Sequence, residues 1–106
     1  MKDIQNFVGG WQGVTFPNST PITMAKHLQR GAAELVDELD QSDVAIRPER
    51  VHDELADIFI LCIGIAYLIG VSLMECVVKK MAVNVNRKWK APDKEGIIEH
   101  QDLEHE

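Results

Sequence analysis

Cysteine is scarce: only Cys62 and Cys76 occur, so a disulfide-dense secreted scaffold is excluded. Both lie in apolar stretches, which predicts buried, reduced thiols in a cytoplasmic protein. Seven glycines and four prolines among 106 residues exclude collagenous and low-complexity chains. A basic face is also missing. Residues 1–90 carry eleven acids and ten bases, while residues 91–106 carry six acids against Lys94, for a net charge of −6. A nucleic-acid duplex is therefore not an expected partner. No positively charged start leads into an apolar run, so no signal peptide is expected. One strongly apolar stretch, Ile58 to Met74, has seventeen consecutive uncharged residues. A bilayer span takes roughly 20. Glu54 and Asp57 stand at its start and Gly70-Val71-Ser72 breaks it, so it reads as a core helix and no membrane is expected.

Several chemistries are absent too. There is no glycine-rich phosphate loop, and no Ser-His-Asp or Cys-His arrangement can be argued. His27, His52, His100 and His105 lack zinc-site spacing. Glu49-x-x-His52 is one half of a di-iron bundle motif whose second half does not occur.

What remains is helical. The length fits one small domain over 1–90, with an irregular head (1–19) and an acidic tail (91–106). Gly9-Gly10-Trp11-Gln12-Gly13 and Phe16-Pro17-Asn18-Ser19 read as loop, with Trp11 and Phe16 as core anchors, the more usual role, or base-stacking surfaces. Thr20-Pro21 supplies an N-cap and a first-position proline for a helix over about 21–40, with Leu28, Ala32, Leu35 and Leu39 as its apolar stripe. A second helix is expected over about 48–69. Ser72-Leu73-Met74-Glu75 is a capping box opening a third, which continues to about Trp89. No period-two alternation is long enough for a strand. The expected fold is all-α: three main helices per chain, completed by oligomerisation into a four-helix-bundle-like core. A second helix apolar almost all round from Ile58 to Ile69 needs more cover than so short a chain provides.

Charge placement carries the chemistry. Glu54 and Asp57 are three apart and share a helix face with Leu61, Ile65 and Leu68, so two carboxylates open a line that otherwise points inward. Buried charges need a cation or a hydrogen-bonding partner. Glu34 and Glu38 are four apart on a stripe with His27 and Gly31. Antiparallel packing of the two helices would join all four acids, and hard oxygen donors select Mg²⁺, with Mn²⁺ also suited. On the third helix Lys80, Asn84 and Arg87 fall at i, i+4, i+7, a combination suited to phosphate and sugar. Taken singly, Glu34 and Glu38 are equally consistent with a solvated helix face, and Lys80, Asn84 and Arg87 fit one better than a site. The core-facing position of Glu54 and Asp57 favours function. Trp89 is a core anchor or a base-stacking surface.

These residues carry a resemblance. Trp11-x4-Phe16-Pro17, Lys26-His27-Leu28, Glu34-Leu35, Glu54-x-x-Asp57, Lys80-x3-Asn84-x2-Arg87-x-Trp89 and Gly96-x3-His100 occur in that order. The set resembles the MazG-like nucleotide pyrophosphohydrolases of the all-α NTP pyrophosphatase superfamily. The resemblance implies a Mg²⁺-dependent hydrolase that cleans the nucleotide pool by splitting a (deoxy)nucleoside triphosphate into monophosphate and pyrophosphate. It implies Glu34, Glu54 and Asp57 as metal ligands and Glu38 as a further ligand or the catalytic water base. Lys80, Asn84, Arg87, Trp89 and His27 would bind substrate, in a homodimer or dimer of dimers. One position departs from the family: the first acid of its E-x-x-E motif falls at Gly31. The alternative is therefore a catalytically weakened module that binds nucleotide or metal, and a helical interaction protein with solvated acids is a third reading.

Overall fold

Four helices follow one another among the described residues of the computed structural model, which are 2–40 and 48–87, and no strand occurs there. They are α1 (Lys2–Thr15), α2 (Pro21–Leu39), α3 (Pro48–Ile69) and α4 (Leu73–Asn86). The chain divides into two compact units, Met1–Met74 and Glu75–Glu106, described separately below. The acidic tail and Trp89 lie outside the described residues.

The first helix corrects the expectation of an irregular head. Gly9, Gly10 and Gly13 each weaken a helix by roughly 1 kcal/mol relative to alanine. Tertiary packing outweighs them. Val8 and Gln12, one turn apart, are both buried, and Gly9 lies against the Tyr67 ring where a Cβ would collide with it. At the other end Gln5 ties α1 to the turn after α3. Its Nε2 donates to the Val71 carbonyl (2.6 Å) and its Oε1 accepts from the Leu73 N–H (3.0 Å), one of the donors a helix start leaves unpaired.

Helix α2 opens as its sequence requires. Thr20 caps it in extended conformation, and Thr20 and Thr23 exchange reciprocal side-chain-to-backbone bonds, with Pro21 in the first turn. Such a cap is worth about 1 kcal/mol. The inward line is Met24, Leu28, Gly31, Leu35 and Glu38; the expected stripe members Ala32 and Leu39 are exposed. Helix α3 ends in a Schellman motif at Gly70 (φ +77°): Val71 N–H donates to the Ala66 carbonyl and Gly70 N–H to that of Tyr67.

Helix α3 is central, with α1 and α2 both packed on it. Both pairings are antiparallel. Gly31 faces Ile58 and Glu38 faces Arg50, so partner numbers fall along α3 as those on α2 rise; Gly9 with Tyr67 and Gln12 with Gly64 do the same for α1. The buried apolar side chains are Val8, Met24, Ile63 and Ala66. Ile63, at 1% exposure, contributes on the order of 2–3 kcal/mol by burial. Among the described residues of this unit, part of the apolar run is left uncovered. Leu61 and Ile65 are half-buried, while Leu55, Phe59 and the expected stripe member Leu68 are exposed. No single helix among the described residues is long and apolar enough to cross a membrane.

Helix α4 starts where Ser72 predicts and ends at Asn86, before Trp89. It buries none of its own residues, and Val77, Val78, Met81 and Val85 are exposed. Cys62 is half-buried as a free thiol, but Cys76 on α4 is exposed, which corrects the expectation of two buried thiols.

Candidate functional site

The α2–α3 pairing that joins Gly31 to Ile58 places Glu34 one turn further along α2, beside Glu54 one turn back along α3. These two acids and Asp57 line a cleft of about 440 Å³ in the first unit. His27, Arg30 and Gly31 continue the α2 wall, and Ile60 and Leu61 the α3 wall. Trp11 and Gln12 from α1, Phe16 and Ser19 from the following turn, and Met24 near the start of α2 complete it. Glu34 and Met24 are ten residues apart on one helix, or roughly 15 Å. The cleft therefore has an acidic end and an aromatic end.

At the acidic end the carboxylates act on one another. Glu54 is pushed above the ordinary glutamate range, first by its partial desolvation and then by the charge of Glu34. A hydrogen bond to Glu34 and the charges of Asp57 and Glu38 push the same way. Glu38 is not in the cleft wall; it stands behind it, 16% exposed, with Arg50 at 3.8 Å. Among the described residues, Glu34, Glu54 and Asp57 have no cation at ion-pairing distance. Clustered acids without a counter-charge are a donor set for a hard divalent cation. Among the described residues no three of them already surround one point in ligand geometry, so a metal would have to draw them together.

Gly31 has a packing role. A Cβ there would lie 3.3 Å from Ile58 Cγ1, so the close approach of α2 to α3 passes through it. At the aromatic end Trp11 and Phe16 stand edge to face, with ring centroids 5.6 Å apart and planes at 84°. They are 52% and 53% exposed and line the cleft, so of the two expected roles the core anchor does not hold.

Sequence reasoning thus locates Glu34, Glu54, Asp57 and His27 in one cleft, and Glu38 next to it. Lys80, Asn84 and Arg87 belong to the second unit, where Lys80 is exposed and Asn84 and Arg87 half-buried. There the Asn84 amide donates to Met81 Sδ at 3.9 Å. Arg30, Gln12 and Met24 are cleft residues that sequence reasoning did not single out. Arg30 is readable in hindsight, four residues before Glu34 on the same face. Gln12 carried no such signal.

Fold and site together define an all-α protein with an acid-lined cleft between antiparallel helices. The chain's fold is MazG-like, and its sequence is similar to phage dATP/dGTP diphosphohydrolases. It is 34% identical over 100 residues to a dATP/dGTP diphosphohydrolase of Salmonella phage PMBT28, covering 94% of this chain and 31% of that protein. It is 36% identical over 70 residues to a dATP/dGTP diphosphohydrolase of Cyanophage S-2L, covering 64% of this chain and 63% of that one. The chain thus spans less than two thirds of the length of either curated relative. Its fold matches the Cyanophage S-2L MazG-like pyrophosphohydrolase bound to dGDP and three catalytic Mn²⁺ ions per active site. That match has a TM-score of 0.73 and 27% identity, covering 94% of this chain and 95% of the other. No protein-family model matches the chain.

Proposed function

We propose that this protein is a divalent-metal-dependent nucleotide pyrophosphohydrolase that splits purine deoxynucleoside triphosphates into monophosphate and pyrophosphate, and so cleans the nucleotide pool. The observation that carries this reading is one cleft with clustered carboxylates, free of ion pairs among the described residues, at one end and aromatic side chains at the other. A nucleotide has the matching polarity, since its phosphates require cations and its base a flat apolar wall. The names of the phage relatives and the Mn²⁺ and dGDP of the S-2L neighbour support the same assignment.

In this reading Glu34, Glu54 and Asp57 hold Mg²⁺ or Mn²⁺. The metal, when bound, neutralises the polyphosphate and makes the attacked phosphorus and water more reactive. Glu38 is a further ligand or takes the proton of the attacking water, in either case after giving up Arg50. Arg30 and His27 line the cleft on the Glu34 face, where a cation can meet phosphate oxygens. Phosphate and sugar contacts by Lys80, Asn84 and Arg87 rest on the sequence resemblance alone. The exposed apolar residues of α3 (Leu55, Phe59) and of α4 (Val77, Met81) support assembly into a homodimer or dimer of dimers. Sedimentation at micromolar concentration should then show at least a dimer, and a stable monomer would contradict it.

One feature favours a second reading, a binding module without turnover: Gly31 occupies the cleft wall where the family places an acid. Pyrophosphate release from each of the four dNTPs and NTPs, with Mg²⁺ or Mn²⁺, decides between them. Release from dATP or dGTP supports the hydrolase; calorimetric binding with no product supports the module.

A further inference from the structure

We propose that Gln12 is the residue through which the cleft reads the base, an inference that rests on the nucleotide reading above. Gln12 is the one polar side chain buried among the described residues, at 6% exposure, and it lines the cleft. Its Oε1 is shielded from solvent and has no hydrogen-bond partner among the described residues. Such an oxygen is expensive to keep, because it has lost water and gained nothing.

The neighbourhood preserves that amide rather than removing it. On α3 the residue opposite is Gly64, and any Cβ there would collide with the Gln12 carboxamide. One turn earlier on the same face of α1, Val8 fills its place with an apolar side chain. An apolar side chain of similar volume at position 12 would fill the space over Gly64 without an orphaned acceptor. The Oε1 is turned towards Gly64, and the amide is retained at a cost that a ligand donor would remove once the carboxamide rotates from Gly64 to the cleft.

Its position suits a base. Gln12 sits at the end shared with Trp11, Phe16 and Met24, away from Glu34 and Glu54. Phosphates at the acids leave the base among these flat and apolar groups. A carboxamide presents one acceptor and two donors. It can accept from the adenine exocyclic amine while donating to a ring nitrogen, or, turned over, accept from the guanine N1–H and N2–H₂ edge while donating to O6. One side chain can thus take both purines by rotating its amide.

The test compares binding of dATP, dGTP and inorganic tripolyphosphate, each with Mn²⁺, to the full chain and to two variants by calorimetry. Gln12→Met keeps the volume and removes the hydrogen bonds. It should weaken both nucleotides roughly ten- to a hundredfold and leave tripolyphosphate within about twofold. Gln12→Glu can only accept, so it should favour dGTP over dATP by about tenfold, since guanine alone offers two adjacent donors. Circular dichroism and melting establish that the variants fold, and Gln12→Glu stands as the readout if Gln12→Met does not. Unchanged nucleotide affinity in a folded Gln12→Met variant overturns the proposal. So does an equal weakening of nucleotide and tripolyphosphate, which would make Gln12 a scaffold residue. If the unmodified chain binds tripolyphosphate and metal but no nucleotide in preference to it, the nucleotide reading itself fails; if it binds nucleotides and Gln12→Met binds them equally, only the role of Gln12 fails.

Discussion

At the acidic end of the cleft, Glu34, Glu54 and Asp57 come from two facing helices, and the burial of Glu54 and the repulsion of its neighbours raise its pKa above the ordinary glutamate range. At the aromatic end, Trp11, Phe16 and Gln12 come from α1 and its following turn, and the cost is a single unpaired amide oxygen. The first end stores electrostatic repulsion that a cation would relieve. The second stores an unspent hydrogen bond beside half-exposed rings. The two ends therefore respond to different ligands, and mutations can separate them.

The largest separation is expected from Asp57→Ala. In the reading above it removes a metal ligand, and turnover of a preferred dNTP should fall at least about a hundredfold. The Mn²⁺-dependent rise in melting temperature should vanish with it, because ligands stabilise the state they bind. The metal-free variant should melt no lower than its parent, since a charge that repels Glu54 is gone. A variant that keeps the full metal response would place the metal elsewhere.

The same contrast explains what was legible in the sequence. Glu54 and Asp57 announce themselves because charges at the head of an apolar helix face violate its pattern, and Glu34 is found by asking what could face them. Helix boundaries at Thr20-Pro21 and Gly70-Val71-Ser72 follow from cap chemistry that is local in sequence. The aromatic end depends on α1, and α1 depends on Gly9 receiving Tyr67 and Gly64 receiving Gln12, contacts between residues more than fifty positions apart. Read locally, Gly9-Gly10-Trp11-Gln12-Gly13 is a loop. Only the tertiary partner turns its glycines into an advantage. The stripe on α2 fails at Ala32 and Leu39 for a related reason: the close approach runs through Gly31, which an apolar count passes over.

At the aromatic end, Phe16→Ala should weaken nucleotide binding about tenfold, the value of one base–aromatic stack, and leave Mn²⁺ affinity unchanged. Loss of metal affinity instead would mean that the ends are not separable.

Smaller changes sharpen the acidic end. Gly31→Glu restores the missing family acid one turn from Glu34, and should tighten Mn²⁺ binding several-fold and raise pyrophosphate release. Gly31→Ala is its control. The helix gains roughly 1 kcal/mol from alanine, offset by the 3.3 Å contact with Ile58, so its stability should move little. Equal metal affinity in the two variants would show that position 31 is no ligand site, and Glu38→Gln should then be the change that costs activity.

The smallest effect is a slope with pH, and its sign differs between the metal-free and metal-bound protein. Burial and the charges of Glu34, Asp57 and Glu38 raise Glu54 above its unfolded value, so the folded state binds the proton more tightly. Between the unfolded and the raised value the native state carries more protons, and stability falls as pH rises. Acidifying the metal-free protein from neutrality through that window should therefore raise its melting temperature relative to Glu54→Gln, which has no proton to gain. Saturating Mn²⁺ reverses the trend, because the metal must displace the proton and binds better as pH rises. Melting curves of parent and Glu54→Gln, with and without Mn²⁺, give the two slopes directly. Parallel curves in the absence of metal would mean that Glu54 ionises as freely as a solvated glutamate, and the acidic end would lose its claim to stored repulsion.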